Sequence, residues 1–543
     1  MEIRHFPIRP ELIELLVGLV AGAISYRFLR RGAGLLSRIA PRRARWVVVF
    51  ALLGPGIRLA LLPLAPPPFP VVHDEFVHLL EADTLLHGRL ANPPHALPEF
   101  FETIYVIHSP TYAASYPPGL AAFWALGWKL TGTPWAGVWL AMVLCCGAVA
   151  WMLYRWLPPR AAWIGGLLCS LTWGTSSWWM NNYFGGAVPA AGGAMLFGAL
   201  PALLRTARWR YALIVSAGWT LVWFTRPYES LLLGFLIAAA ILRWLWRRRE
   251  RRLFAAAALI FGVVMLDVAG LCYQNRCITG DPLLSPYRLT QRRYGVPHAF
   301  LWQREIPEPA HLTAQQRRMY LYQRTGFRDA RSLAGRWTEF WKNMKKVWAF
   351  FIGYPLTIPL ALSLWARGKA RTLWLLLGLG ILWSSLYPKV LVNYLAPETC
   401  LFFALASYGL LSLARHGSRG ALLAVALVFA SCAASVRLLY PWYLYGGPQP
   451  PPPHEAVARR LASVPGPHLV FVRYGPEHNV HDEWVYNGAD IDASKVVWAN
   501  DLGDERNREL IRYFAGRRVW LVQPDEGARL SAVSEEHHPA DSK

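Results

Sequence analysis

The stretch YESLLLGFLIAAAILRWLWRRRERRLFAAAALIFGVVMLDVAGLC, residues 228–272, decides the fold. It holds two apolar runs, 228–246 and 253–272. Each approaches the roughly twenty residues that cross about 30 Å of hydrocarbon. Six arginines between Arg243 and Arg252 separate them. A helix that is apolar on every face is buried in a large core or in lipid, and arginine between two such helices belongs at a water interface. The stretch therefore reads as a membrane hairpin.

Outward from it the pattern repeats. Twelve apolar blocks are read as spans: 11–29, 46–64, 136–156, 162–180, 187–204, 211–225, 228–246, 253–272, 347–366, 372–387, 395–414 and 420–440. The 543-residue chain is 54% hydrophobic and only 16% charged, against about 25% charge in a soluble domain. A soluble enzyme is excluded. The net charge of +23 suggests nucleic acid at first sight, but its placement argues otherwise. Arginine fills alternate gaps: Arg27 to Arg45, Arg155 and Arg160, Arg205 to Arg210, Arg243 to Arg252, Arg367 to Arg371, and Arg415 and Arg419. The 66–117 gap has one basic residue, Arg89, and six acidic ones. Such alternation is the positive-inside pattern of a multi-pass protein. It is expected to put the basic turns in the cytoplasm, and 66–117, 181–186, 226–228, 273–346, 388–394 and the tail after 441 outside the cytoplasmic membrane. The first block carries Glu11 and Glu14 and is read as a hydrophobic segment, not a cleaved leader. Of the seven cysteines, Cys272 and Cys277 lie near an outer membrane face and could pair, but the odd total and the lack of a framework in the outer loops favour thiols.

The fold expected is thus an all-α polytopic membrane protein of about 11–12 transmembrane helices with a small C-terminal α/β extracytoplasmic domain. The division expected is 1–45 (hydrophobic segment and basic loop), 46–440 (membrane domain with outer loops 66–117 and 273–346), 441–453 (proline-rich linker) and 454–543 (tail). In the tail, His468 to Tyr474, Lys495 to Ala499 and Arg518 to Val522 read as strands, with a helix near Arg506 to Phe514. No glycine-rich phosphate loop follows the first strand. His478 and the run His481-Asp482-Glu483 have catalytic residue types, yet are read as a polar surface loop.

The first outer loop carries the chemistry. Residues 73–90 are HDEFVHLLEADTLLHGRL. Asp74, His78 and Glu81 fall on one helix face and Phe76, Leu79, Leu80 and Leu86 largely on another, which predicts an amphipathic helix along the outer leaflet. Partial desolvation next to a span would raise a carboxyl pKa and make a better base. The plainer reading is that Asp74 and Glu75 cap the helix. Further on, Ser-Tyr-Pro-Pro-Gly at 115–119 leads an apolar stretch, Leu120 to Leu130, too short to span and read as a second interfacial helix. Asp74 with His78, at i and i+4, has a spacing that can hold a cation.

A span, an outer loop opening with an acidic pair, a Tyr-Pro-Pro-Gly leading an interfacial helix, and alternating short-looped spans: across residues 46–415 this resembles the polyprenyl-phosphate-sugar-dependent membrane glycosyltransferases of the GT-C superfamily. Protein O-mannosyltransferases and lipid A aminoarabinose transferases are relatives. The resemblance implies that Asp74, or else Glu75, matches the family's essential acid and serves the acceptor. The residue before the two prolines, which varies among relatives, is Tyr116 here, a candidate for substrate contact without a cation's charge. No cofactor is implied as required; some relatives use a divalent metal, for which His78 is the candidate ligand. The partners implied are a polyprenyl-phosphate sugar, a glycan, lipid or protein acceptor, and membrane lipid.

Such a transfer needs cations at the departing phosphate, and arginine is suited by its permanent charge and bidentate donors. Arg288, Arg292 and Arg293 in the second loop and Arg226 at an outer span end are the candidates; the plainer reading is a solvated face meeting lipid head groups. Two competing functions stand beside this one. A transporter or flippase would need ionisable residues deep in several spans, and Asp267 is the main one here. A non-catalytic envelope assembly protein would tolerate Asp74→Asn.

Overall fold

The computed structural model describes residues 16–26, 38–248, 250–433 and 451–533. The ends of the first apolar block, residues 27–37 of the basic loop after it, the end of the last block and residues 441–450 of the linker lie outside them. The chain is helical and polytopic, and the described residues of each of the twelve apolar blocks coincide largely with helix. Four described helices are long and apolar enough to cross a membrane alone: Trp135–Trp156, Ala187–Thr206, Pro227–Arg248 and Arg251–Thr279. A bent pair, Leu333–Phe351 with Gly353–Trp365, makes a fifth if it counts as one span. The remaining blocks form shorter helices, among them Leu16–Tyr26, Thr399–Ala414 and Gly417–Ala433.

Two blocks differ from the straight spans expected. Block 347–366 is bent by 100°. The bend falls where Gly353 takes a left-handed φ of 63°, with Pro355 two residues on, a combination that cannot continue the incoming helix. Block 162–180 is an α-helix, Pro159–Leu168, that widens into a π turn at Cys169–Trp173 and ends in short turns. Ser170 in that turn accepts from the Gly54 amide at 2.9 Å. A Cβ at Gly54 would lie 1.7 Å from the Ser170 carbonyl oxygen, so only glycine lets the two backbones meet.

Two compact units emerge. The first comprises 1–67, 135–269 and 328–448. Trp135–Trp156 packs between Arg43–Ala60 and Ala187–Thr206, and Thr399–Ala414 packs on Pro159–Leu168, Gly353–Leu362 and Gly417–Ala433. Its arginine-rich turns meet at one end: Arg155 and Arg210 both donate to the Tyr211 hydroxyl, at 3.2 and 3.3 Å, and Lys369 reaches the Trp156 carbonyl. Arg58, inside an apolar block and 1% exposed, is fully occupied. It donates to Asn181 Oδ1 and to the Ala65 and Pro66 carbonyls and lies over the Trp135 ring. Asp267 accepts from the Thr220 hydroxyl at 2.8 Å.

The second unit comprises 68–134, 270–327 and 449–543. All three segments contribute to one core, through Val77, Leu80 and Phe101, Tyr294 and Tyr320, and Phe471 and Leu510. The C-terminal segment supplies a four-stranded sheet in the order Val496–Asn500, His468–Val472, Arg518–Gln523, Arg529–Ala532. The first three strands are parallel and the last antiparallel. His468–Val472 is buried throughout, as a central parallel strand must be. The three expected strands and the helix, here Asp504–Tyr513, match within two residues. Arg529–Ala532 and the helix Pro453–Ser463 are additional.

Gly54→Ala is expected to cost about 3 kcal/mol, the upper range for overpacking, because backbone stands opposite; thermal unfolding of the purified protein in detergent checks it, and an unchanged midpoint would mean the helices do not meet at Ser170.

Candidate active site

The helix His73–Leu86 forms where expected, but it is no surface helix. Ten of its 14 residues are buried, including His73, Glu75, His78 and Glu81. Phe76 packs on Tyr486 and His454, while Val77 and Leu80 enter the core. Spacing told which residues share a face; protein, not lipid, covers the rest of the helix.

Its acidic pair divides the work. Glu75 reaches back over the helix start, where its Oε2 accepts from the Val71 and Val72 amides at 2.9 and 3.3 Å. Those N–H groups have no helical partner, so Glu75 is the stopper the plainer reading foresaw. Asp74 faces the other way. Its Oδ1 accepts from the Tyr116 hydroxyl at 2.6 Å, and its Oδ2 lies 3.1 Å from His73 Nε2. Tyr116 arrives from the Tyr-Pro-Pro-Gly segment, whose Pro118 begins the helix Gly119–Thr131. The His78 ring stacks on Tyr116 at 5.1 Å, and Tyr105 and Tyr287 enclose it further.

The electrostatics overturn the expected raised carboxyl. Burial alone would push Asp74 up, but the charge and hydrogen bond of His73, the Tyr116 hydrogen bond and the His78 charge outweigh it and hold the carboxyl at about 2. Burial first, and then the Asp74 charge, push the Tyr116 phenol well above its ordinary range, so it remains a donor. The carboxyl that does rise is Glu81, one turn beyond His78, driven by burial. Its Oε1 accepts from Gln274 at 3.1 Å; its Oε2, 4.0 Å from His78 Nδ1, has no hydrogen-bond partner among the described residues.

The second-loop arginines sit on the helix Pro286–Tyr294, whose Tyr287 lies beside Tyr116. Arg288 and Arg292 are exposed, and neither side chain makes a hydrogen bond or ion pair among the described residues. Arg293 is engaged elsewhere, on Glu102 at 3.2 Å and on the Ser109 carbonyl at 3.0 Å. Arg226 belongs to the first unit, where it lies over the rings of Tyr394 and Phe184 at 5.1 and 5.7 Å. The Asn181–Gly186 turn is structural there: Asn182 accepts from the Phe184 amide and Asn393 donates to the Phe184 carbonyl.

For a metal, the donor set does not converge. Both Asp74 oxygens are engaged, and no group of three His, Cys, Asp or Glu side chains among the described residues is placed to hold an ion. Cys272 and Cys277 are free thiols. Of the tail residues with catalytic types, His478 and Glu483 are buried, whereas His481 and Asp482 stay partly exposed in the loop expected there. His478 is held between Asp525 and the Asp482 carbonyl, both at 2.8 Å. Glu483 accepts from the Trp484 and Val485 amides and the Tyr474 hydroxyl. They brace their own loop. Sequence reading gave no role to His73, although it directly precedes Asp74, and none to Glu81 beyond its face.

No family model matches the chain, and no curated protein matches it. Solved structures do. The apo oligosaccharyltransferase of Archaeoglobus fulgidus is similar over 92% of this chain and 75% of its own, at 11% identity and a TM-score of 0.48. ArnT of Cupriavidus metallidurans bound to undecaprenyl phosphate is similar over 89% of this chain and 93% of its own, at 13% identity and a TM-score of 0.48. Apo ArnT gives 14% and 0.47. At such identities and TM-scores these likenesses assign no residue of this chain a role.

Glu81→Gln tests the upward shift of the Glu81 carboxyl. A raised folded pKa gives stability that is full below the ordinary value of 4.5 and is lost as pH rises through the folded value. The substituted amide keeps the acceptor for Gln274 and removes that loss, so the variant should gain on wild type in thermal stability as pH rises from 5 toward neutrality and above. A variant that loses ground with rising pH would place a carboxylate there instead.

Proposed function

We propose that this chain transfers a sugar from a polyprenyl-phosphate donor to a hydroxyl on a glycan, lipid or protein acceptor at the outer face of the cytoplasmic membrane, with inversion, and that Asp74 receives the acceptor's proton. The observation that carries this reading is the 2.6 Å hydrogen bond from Tyr116 to Asp74. It joins the acidic pair to the Tyr-Pro-Pro-Gly segment, the two motifs on which the family resemblance rests.

The chemistry follows from that geometry. The acceptor oxygen bonds to the anomeric carbon as the bond from that carbon to the phosphate oxygen breaks, and the electron pair leaves with the phosphate. The acceptor proton passes to Asp74. A carboxylate near pKa 2 is too weak a base to deprotonate an alcohol beforehand. It can accept the proton late, once the new bond has made that oxygen strongly acidic. Tyr116 and His73 keep the carboxylate ionised and fix its orientation in a partly buried place. Arg288 and Arg292 are the exposed cations nearest in sequence to Tyr287 for the leaving phosphate, with Arg226 the candidate of the first unit. Asp267 is occupied by Thr220, which gives the transporter reading no uncommitted deep carboxylate there.

Sugar transfer in membranes, from a panel of labelled polyprenyl-phosphate sugars, decides it. Asp74→Asn should lower turnover by about a hundredfold or more at equal protein level, whereas Glu75→Gln, which keeps an acceptor for the Val71 and Val72 amides, should change it little. Equal transfer in wild type and Asp74→Asn would remove the base assignment; no transfer from any donor would favour the transporter or assembly function. A second expectation concerns pH. Tyr116→Phe deletes one hydrogen bond that lowers Asp74, so the acid limb of kcat/KM should move up by about one pH unit, and an unmoved limb would separate Tyr116 from Asp74.

A further inference from the structure

The arginine-rich end of the first unit contains a cavity of about 460 Å³ that the proposed chemistry does not use. It is lined by Pro158, Pro159, Arg160, Leu411, Ala414 and Arg415, with Pro41 closing it from the segment before the Arg43–Ala60 helix. Three chain segments thus meet around it: the start of Pro159–Leu168, the end of Thr399–Ala414 and the approach to Arg43–Ala60.

Some cations at this end are engaged within the protein. Arg155 and Arg210 share the Tyr211 hydroxyl, and Lys369 binds the Trp156 carbonyl. Arg160 and Arg415 are different. Both are exposed, and neither side chain makes a hydrogen bond or ion pair among the described residues. The surrounding turns, 155–160, 205–210, 367–371 and 415–419, contain no aspartate or glutamate to neutralise them. Two guanidinium groups that line one concavity without a local counter-charge raise each other's energy, and an anion between them relieves it. The first turn of Pro159–Leu168 adds backbone N–H groups without helical acceptors and the positive end of its dipole.

The rest of the lining selects the kind of anion. Leu411 and Ala414 are in the last turn of an apolar helix, and Pro158 and Pro159 add carbon surface opposite. A free phosphate gains nothing from these walls. A phospholipid places its phosphate at the polar border and its glycerol and acyl carbons against them. Basic cavities between helices at the arginine-rich face are suited to anionic head groups. We propose that this cavity binds the head group of an anionic phospholipid, with Arg160 and Arg415 as its phosphate ligands. Occupancy would tie Pro159–Leu168 to Thr399–Ala414 through a shared anion, since two like-charged guanidinium groups cannot bridge the helices directly.

The test uses the full-length protein in detergent and titrates it with phosphatidylglycerol, phosphatidylethanolamine or inorganic phosphate, reading bound lipid by native mass spectrometry. It needs no turnover, so it stands or falls apart from the sugar-transfer reading. Wild type should retain phosphatidylglycerol in preference to phosphatidylethanolamine. Each of Arg160→Gln and Arg415→Gln should weaken it about fivefold, from about 1 kcal/mol per arginine, and the pair Arg160→Lys with Arg415→Lys should keep most of it, which separates lost charge from lost fold. Arg419→Gln, at the same end but outside the cavity, should leave it unchanged. Undiminished binding in the double glutamine variant, an equal loss in Arg419→Gln, or equal competition by inorganic phosphate would overturn the assignment.

Discussion

A carboxylate taken out of water must find donors or surrender its charge. Asp74 finds donors. Tyr116 and His73 each hydrogen-bond one of its oxygens, His78 stacks on Tyr116, and Tyr105 and Tyr287 close around the same phenol. Much of the second unit is arranged by that need. The two prolines before Gly119 deliver Tyr116 to Asp74, and Glu75 secures the helix start so that the preceding carboxylate points away from its own backbone. One turn along the same helix, Glu81 meets the opposite fate. With Gln274 as its one hydrogen-bond partner among the described residues, its carboxyl is pushed up by burial.

What the sequence revealed and what it hid divide along physical lines. Hydrocarbon demands a run of apolar residues, and such runs are visible without any knowledge of neighbours. The breaks in two of them are not, because they depend on contacts: Gly54 against Ser170 in one case, a left-handed Gly353 in the other. Arg58 illustrates the same limit. In sequence it is a lone cation in an apolar block; its partners, Asn181 and Trp135, are far along the chain.

At the site, the i, i+4, i+7 pattern correctly grouped Asp74, His78 and Glu81, but a pattern on one helix says nothing about what covers its other faces. That is why an expected surface helix is a core helix, and why burial of Asp74 suggested a raised pKa when its donors make it low. Glu75 was legible as a cap from its position. The strands of the tail were legible because parallel central strands are continuous apolar runs. The bracing of His478 and Glu483 was not, since residue type alone cannot distinguish a catalytic histidine from one clamped between a carboxylate and a carbonyl.

The second unit is assembled from residues 68–134, 270–327 and 449–543, and this imposes a rule of parity. Segments that share one core must lie on the same side of the bilayer, so the chain between them crosses an even number of times. Six apolar blocks separate the first segment from the second and four the second from the third, so each interval has an even number when every block is counted as one crossing. It also sets an order on biosynthesis. Tyr112 donates to the Asn487 carbonyl and Asp83 accepts from the Ala489 amide, so the loop that carries Asp74 cannot complete its packing until the segment 449–543 has left the ribosome and reached the same side of the membrane as that loop. Until then every intervening crossing must be threaded with that loop unfinished, which makes the nascent loop a natural client for chaperones on its side of the membrane.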